Sequence, residues 1–385
     1  MDNLWITLPA LAPDYSGVCS AMFDLGGISV IHDASGCTGN YTGYDEPRWY
    51  GSTAKVFSSG LREMDAVLGL DNRLIDNIIK AGECINPTMY TVIGSPVPMV
   101  IGTDMTGVAY ELEKRTGVLS FGFDMNGIGI YDEGISKALC ALIQRLTVEA
   151  KEKIHRGINI LGSNPLDLSA NSNAEDLKKC LEQWGFPVNS EMMMGASLKQ
   201  VEDLTKAEIN LVVTKSGLKA AKLLHEKFQI PYVVGMPLYQ SKLLRDLLEK
   251  TWNDKTNRVL LDSSEEGEIL IVGEQVLSNS IRSAIKERIP HKKVCIATLC
   301  GFDEEIAAKG DTHLTGEENL TLLINSGKYT TLMGDPLLEE LIDKETSLNF
   351  IGIPHAALSS KLYWKNMPRL LREDMEEIID KITKI

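Results

Sequence analysis

One thiol among three glycines is the clearest chemical signal in this chain: in His32-Asp33-Ala-Ser-Gly36-Cys37-Thr-Gly39-Asn-Tyr41-Thr-Gly43 the cysteine follows directly on the β-branched run Ile28-Ser-Val-Ile31. A buried strand delivers Cys37 to the rim of a sheet, and the glycines let the backbone close around something bulky or around a second chain. A thiolate among backbone N–H groups is a ligand for soft metal, iron–sulfur in particular. The competing reading is a cysteine that behaves as a small hydrophobe in a turn. Of the six histidines, only His32 and His355 stand at strand ends, where each is either structural or catalytic.

Composition narrows the function classes. The chain has 385 residues, 44% hydrophobic and 24% charged, enough for two or three domains with ample core. Its net charge of −14 and pI near 5.0 speak against a nucleic-acid partner, since no cluster of Lys and Arg offers a phosphate-binding surface. No apolar run reaches the ~18 residues that a membrane helix needs, and Met1-Asp-Asn-Leu-Trp5 lacks the basic start of a signal peptide. We therefore expect a cytoplasmic protein. Seven cysteines spread through a long chain do not read as a disulfide framework.

The elements that must position these residues alternate between strand and helix, which argues for an α/β fold of three doubly wound parallel-sheet units, 1–155, 156–262 and 263–385. In the first unit Cys19 lies on a short small-residue helix that ends at Gly26-Gly27. Leu74, Ile75, Ile78 and Ile79 share one face of an amphipathic helix that closes at Cys84, and Tyr90-Thr-Val-Ile93 runs into a second rim loop at Gly94-Ser95-Pro-Val-Pro. Asp104 opens a helix, Val118 to Phe123 is a strand, and Tyr131 to about His155 is a long helix with Cys140 on its apolar face. The middle unit alternates Ile158–Gly162, Ala174–Trp184, Phe186–Val188, Leu198–Ala207, Ile209–Thr214, Leu218–Phe228 and Ile230–Val234, with Cys180 read as core. The run from Glu265 to Glu274 is ambiguous between strand and helix start. In the third unit Cys300 ends the strand from Lys293, further strands run at Thr330–Asp335 and Asn349–Pro354, and a closing helix spans Met367 to Ile385. A P-loop, Gly-x-Gly-x-x-Gly after a first strand, His-Glu-x-x-His, Cys-x-x-Cys and Gly-x-Ser-x-Gly are all absent, so no nucleotide or zinc site is supported.

Taken together, the residues resemble the component 1 superfamily of nitrogenase-like enzymes, which also holds protochlorophyllide reductase-like proteins and cofactor-assembly scaffolds. The resemblance rests on His32-x-x-x-Gly36-Cys37, Asp45-Glu-Pro47, Ser58-Ser59 with Glu63-Met-Asp-Ala-Val-Leu-Gly69, Ile101-Gly-Thr-Asp104 and colinear matches through Phe228-Gln-Ile-Pro-Tyr232. It implies three Rossmann-like domains, an iron–sulfur cluster, [4Fe–4S] by preference, near the interface of a homodimer or of a heteromer with a related subunit, and electrons delivered by a separate ATP-hydrolysing iron protein to a small-molecule substrate. Cys37 carries over as a metal ligand. The family's first cluster cysteine aligns near Ala12 or Pro13 and its third near Ser95 or Pro96, which leaves Cys19 and Cys84 as the thiols that could complete the set. Gly36, Gly39 and Ser95 would then line the cofactor. The positions that hold the nitrogenase active-site cofactor fall on Thr214 and near Ser359, so dinitrogen reduction on that cofactor is not expected. His32, Asp33, Tyr41 and His355 are the expected proton donors. The expected function is an iron–sulfur catalytic component, with a non-catalytic cluster scaffold or a metal-free binding protein as the alternatives.

Overall fold

The computed structural model describes residues 5–168, 171–239, 241–262 and 267–383. Among them, fourteen strands form three separate sheets in which every strand pairs with its neighbours in parallel. The first holds β1 (Ile28–Ile31), β2 (Lys55–Ser58), β3 (Tyr90–Ile93) and β4 (Ser120–Phe123) in the order β2-β1-β3-β4. The second holds β5 (Ile158–Leu161), β6 (Val188–Glu191), β7 (Ile209–Val212), β8 (Tyr232–Val234) and β9 (Arg258–Val259) in the order β6-β5-β7-β8-β9. The third holds β10 (Ile269–Val272), β11 (Val294–Thr298), β12 (Thr312–His313), β13 (Thr331–Gly334) and β14 (Asn349–Gly352) in the order β12-β11-β10-β13-β14.

The physical reason for parallel sheets is visible in the strand sequences. β1, β3, β5, β7, β10, β11 and β13 are buried at every position. Such strands need helices on both faces, and parallel crossovers supply them. Each sheet therefore reverses its winding once, between β1 and β3, β5 and β7, and β10 and β13. At these switch points the loops leaving the carboxyl ends diverge and open a crevice. The fold is thus α/β with three Rossmann-like units, and one apolar core runs through all of them, from Leu8 to Leu358.

Two glycines tie the first unit to the others. Helix Asp14–Met22 crosses helix Tyr131–Leu146 so closely that a Cβ on Gly17 would lie 1.9 Å from the Tyr131 carbonyl oxygen, and one on Gly134 would lie 1.9 Å from that of Asp14. The crossing sets Tyr15 at the rim of the first sheet and Tyr131 at the edge of the other two.

Several elements differ from the sequence expectation. The glycine-rich stretch after β1 is helical, α-helix over Gly36–Asn40 and a π-helical turn over Tyr41–Asp45. The long helix stops at Leu146, because the β-branched pair Thr147-Val148 leaves it and is tied down by a hydrogen bond from Thr205 Oγ1 to the Val148 carbonyl at 2.6 Å. The strand expected from Phe186 begins at Val188, the helix from Leu198 gives way to a 3-10 turn at Asp203, and the closing helix is Glu373–Thr383. The ambiguous stretch becomes β10, although part of it lies outside the described residues. Cys140 and Cys180, read as core, are only half-buried.

Candidate functional site

The first switch point carries Cys37. At the end of β1 the His32 N–H donates to the Ile93 carbonyl at 2.8 Å and Ser95 Oγ donates to the His32 carbonyl at 2.8 Å, so the two rim loops are locked together. Asp33 then organises the turn: its carboxylate accepts from Thr38 N and Thr38 Oγ1, both at 3.0 Å, and from Ser58 Oγ at 2.5 Å. Ser35 caps the short helix from a left-handed backbone, φ 115°, a conformation that costs a non-glycine residue of order 1 kcal/mol.

Behind the loop lies a buried ionic anchor. Glu46 accepts from Arg48 Nε at 2.7 Å and Nη2 at 2.8 Å, from Ser20 Oγ at 2.9 Å and from the Tyr41 hydroxyl at 3.0 Å. Asp45 accepts from Ser16 Oγ and Asn40 Nδ2, each at 2.7 Å. Burial lifts the Asp45 carboxyl to about 6 despite those two donors.

Cys37 itself is half-buried, with the Tyr15 and Ser95 hydroxyls nearby. Burial pushes the thiol up, and the two hydroxyls offset only part of that rise. A free Cys37 is therefore a thiol, and a metal would have to displace its proton. In front of it the surface is bare: a Cβ on Gly36, Gly39 or Gly43 would meet nothing within 4 Å. Apolar side chains stand exposed on the loops beyond all four strands. Tyr44 follows the Cys37 helix, Val67 (74% exposed) lies on helix Glu63–Leu68, Val100 (77%) on helix Pro96–Ile101 and Ile128 (79%) after β4.

The other expected ligands do not join it. Cys19 is fully buried in the main core, and burial together with the charges of Glu46, Asp33 and Asp45 drives its thiol far up. Cys84 is exposed on the last turn of helix Asp71–Ile85, where Gly82 packs against Tyr90 at the start of β3. That is the amino end of the strands, whereas Cys37 stands beyond their carboxyl ends. Among the described residues no group of three or more His, Cys, Asp or Glu is arranged to hold a metal ion. Tyr41, Asp33 and His32, expected as proton donors, are engaged within the loop architecture. Tyr41 is spent on Glu46 and Asp33 on the turn. His32 is bound through Nδ1 to Ser59 Oγ at 2.8 Å beside a small cavity of ≈ 40 Å³, and burial lowers its pKa.

A second polar centre forms where the switch points of the other two sheets meet the start of helix Tyr131–Leu146. Asn164 and Asp167 follow β5, Thr214 to Ser216 follow β7, Glu274 follows β10, Cys300 follows β11, Asp335 follows β13 and His355 follows β14. Asp167 is its hub: its Oδ1 accepts from the Tyr131 hydroxyl and lies 2.9 Å from His355 Nε2, while its Oδ2 accepts from Asn164 Nδ2 at 2.6 Å. Cys300 Sγ lies 3.6 Å from the Tyr131 hydroxyl. Lys215 Nζ pairs with Asp132 at 2.6 Å, and its N–H donates to Glu274 at 2.7 Å. Burial pulls His355 down, but the hydrogen bond and charge of Asp167 outweigh it and the net shift is upward. Burial and the Asp167 charge lift Glu274 to about 7. The free space beside His355 is only ≈ 30 Å³, room for about one water.

Sequence reasoning found His355 here but missed Tyr131, Asp132, Asp167, Lys215 and Glu274. The available signal was Ser163-Asn164, one glycine beyond the strand Ile158–Leu161. Thr214 and Ser359 are buried and bonded to backbone carbonyls, of Gly162 at 2.6 Å and His355 at 3.1 Å, and neither offers a metal ligand.

Three Rossmann-like units around two polar crevices, the first with a reachable thiol, define the class. The chain belongs to the nitrogenase component 1 type oxidoreductases, whose family model matches residues 14–248. It is 28% identical over 186 residues to the nitrogenase molybdenum-iron protein alpha chain of Clostridium pasteurianum, a match covering 46% of this chain and 33% of that protein. It is 25% identical over 182 residues to a subunit of the light-independent protochlorophyllide reductase of Leptolyngbya boryana, covering 44% and 35%. These matches span about a third of the length of either relative. A longer one, 24% over 379 residues and covering 87% and 77%, is to the nitrogenase iron-molybdenum cofactor biosynthesis protein NifE of Methanosarcina barkeri. The solved structure titled nitrogenase Cp1 at pH 6.5 shares the fold with a TM-score of 0.72 at 12% identity, over 100% of this chain and 93% of that one.

Proposed function

We propose that this protein is the cluster-binding component of a cytoplasmic, nitrogenase-like two-component reductase, one that takes electrons from an ATP-hydrolysing iron protein and passes them to a small molecule. The observation that carries the reading is the setting of Cys37: a half-buried thiol with two hydroxyls nearby, three side-chain-free positions in front of it, and exposed apolar groups beyond all four strands. An apolar surface of this kind marks an interaction site, and the occupant that fits a reachable thiol is a related subunit with a cluster between the two.

Among the described residues the donor set could hold such a cluster only together with ligands from a second chain. A [4Fe–4S] cluster takes four protein ligands, and this chain brings one reachable thiol to the rim, so the facing subunit supplies the others. Bound there, the cluster would provide one-electron transfer. The chain's own residues do the rest: the nearby Tyr15 hydroxyl would favour the thiolate, Ser95 ties the two rim loops through the His32 carbonyl, Asp33 fixes the loop, and Gly36 and Gly39 leave the approach open.

Anaerobic purification tests the proposal. Iron and sulfide should accompany the protein and be lost in Cys37→Ala, and a colourless wild-type protein with its natural partner present would overturn it. A second reading, a non-catalytic scaffold that holds or matures a metallocluster, is favoured by the length of the match to a cofactor biosynthesis protein. Reduction of the bound cluster by an iron protein with MgATP supports the reductase, and no reduction supports the scaffold.

A further inference from the structure

Away from both polar centres, a groove of ≈ 500 Å³ opens between helix Asn171–Gln183, the start of helix Leu243–Asp254 and the segment before the closing helix. Two aromatic side chains, Trp184 and Tyr239, and four cations, Lys179, Lys242, Arg245 and Arg372, line it. That volume lies in the range of small-molecule sites.

The charge of this groove runs against the rest of the molecule. The chain carries a net −14, yet the carboxylate here, Asp176, is already held by Arg369 Nη2 at 2.6 Å and Arg372 Nη2 at 2.7 Å. Among the described residues no carboxylate pairs with Lys179, Arg245 or the Lys242 ammonium. Cys180 adds no negative charge, because burial raises its thiol to about 11. The twelve-residue helix Leu243–Asp254 begins at Lys242 without a side-chain cap, but the Lys242 N–H donates to Glu287 Oε1 at 3.3 Å and Asp246 lies in the first turn, so the positive field of the groove comes from its side-chain cations.

We infer that this groove is a second ligand site, one that takes a nucleoside monophosphate or an equally sized flat ring bearing a phosphate. The cations would take the phosphate, and Trp184 and Tyr239 would flank the ring. This mode needs no P-loop, and it is independent of the cluster proposed at Cys37.

Equilibrium dialysis of the full chain against AMP, adenosine and inorganic phosphate tests the site. AMP should bind, with adenosine and phosphate each at least about tenfold weaker, since each lacks one half of the recognition. Lys179→Glu with Arg245→Glu, both on exposed side chains, should weaken AMP by about tenfold or more and leave the iron content unchanged. Cys37→Ala protein should bind AMP as the wild type does. No AMP binding, phosphate binding as tight as AMP, or AMP binding indifferent to the double substitution would each overturn the inference.

Discussion

The rim of the first sheet and the junction of the other two are built on the same principle, side chains set at a switch point beyond the carboxyl ends of parallel strands, and they reach opposite outcomes. At the rim the polar work is done behind the loop by Asp33, Asp45 and the Glu46–Arg48 pair, and the outward face is glycine, apolar side chains and one thiol. At the junction the side chains face one another, so Asp167, His355, Tyr131 and Asn164 satisfy each other and close the crevice. Cys37 and Cys300 carry the consequence for a thiol. Both are pushed up by burial, but Cys300 is sealed with Asp167 beside it, whereas Cys37 is only half-buried and has an open approach. Reactivity of a cysteine is decided by reach and by its neighbours.

The largest expected effect comes from breaking the junction. Asp167→Ala strands the donors of Tyr131, His355 and Asn164, and should lower the unfolding free energy by about 3–5 kcal/mol in urea denaturation, with the iron content of the folded fraction unaltered. Loss of iron at unchanged stability would dissolve the distinction between the two regions.

The junction should also make stability fall with rising pH. Glu274 is raised to about 7 and His355 is raised above its usual value, so both favour the folded state in their protonated forms. That contribution is complete below their unfolded values and is lost as the pH climbs through the folded ones. Between pH 5 and 8 we expect a loss on the order of 2 kcal/mol, read from denaturation curves at each pH. A stability that increases across this range would contradict the assignment.

At the rim, Cys37→Ala should change stability by no more than about 1 kcal/mol while abolishing cluster binding. Alkylation of the native, cluster-free chain should label Cys37 and Cys84 and spare Cys19 and Cys300, as mass spectrometry of the labelled peptides would report.

The smallest effect on stability separates packing from function most sharply. Gly39→Leu places a side chain where nothing within 4 Å would meet it, so folding should change by less than about 1 kcal/mol. Assembly with the facing subunit, followed by light scattering, should nevertheless fail. Normal assembly would mean that the glycines serve some other purpose.

Much of this was legible in the sequence. Short, mostly apolar runs such as Ile158-Asn-Ile-Leu161 are buried on both faces, and their alternation with amphipathic helices points to parallel, doubly wound sheets. The same logic put Cys37, Ser95 and His355 at strand ends. Local pattern could not reach the question of which residues far apart in the chain share a crevice. Tyr131 and His355 are separated by 224 positions and meet at 3.3 Å where the start of helix Tyr131–Leu146 reaches the loop after β14. The fate of the cysteines was likewise a tertiary matter. Cys19 lies one turn after Tyr15 on the same face of a helix buried at every position, so it is sealed in the core, while Cys84 is carried to the amino end of the sheet by the helix that precedes β3. Periodicity along the chain determines which faces are apolar, and so the sequence alone decided the architecture. Proximity depends on how those faces stack, and so only the folded molecule decided that one thiol stands open at the rim.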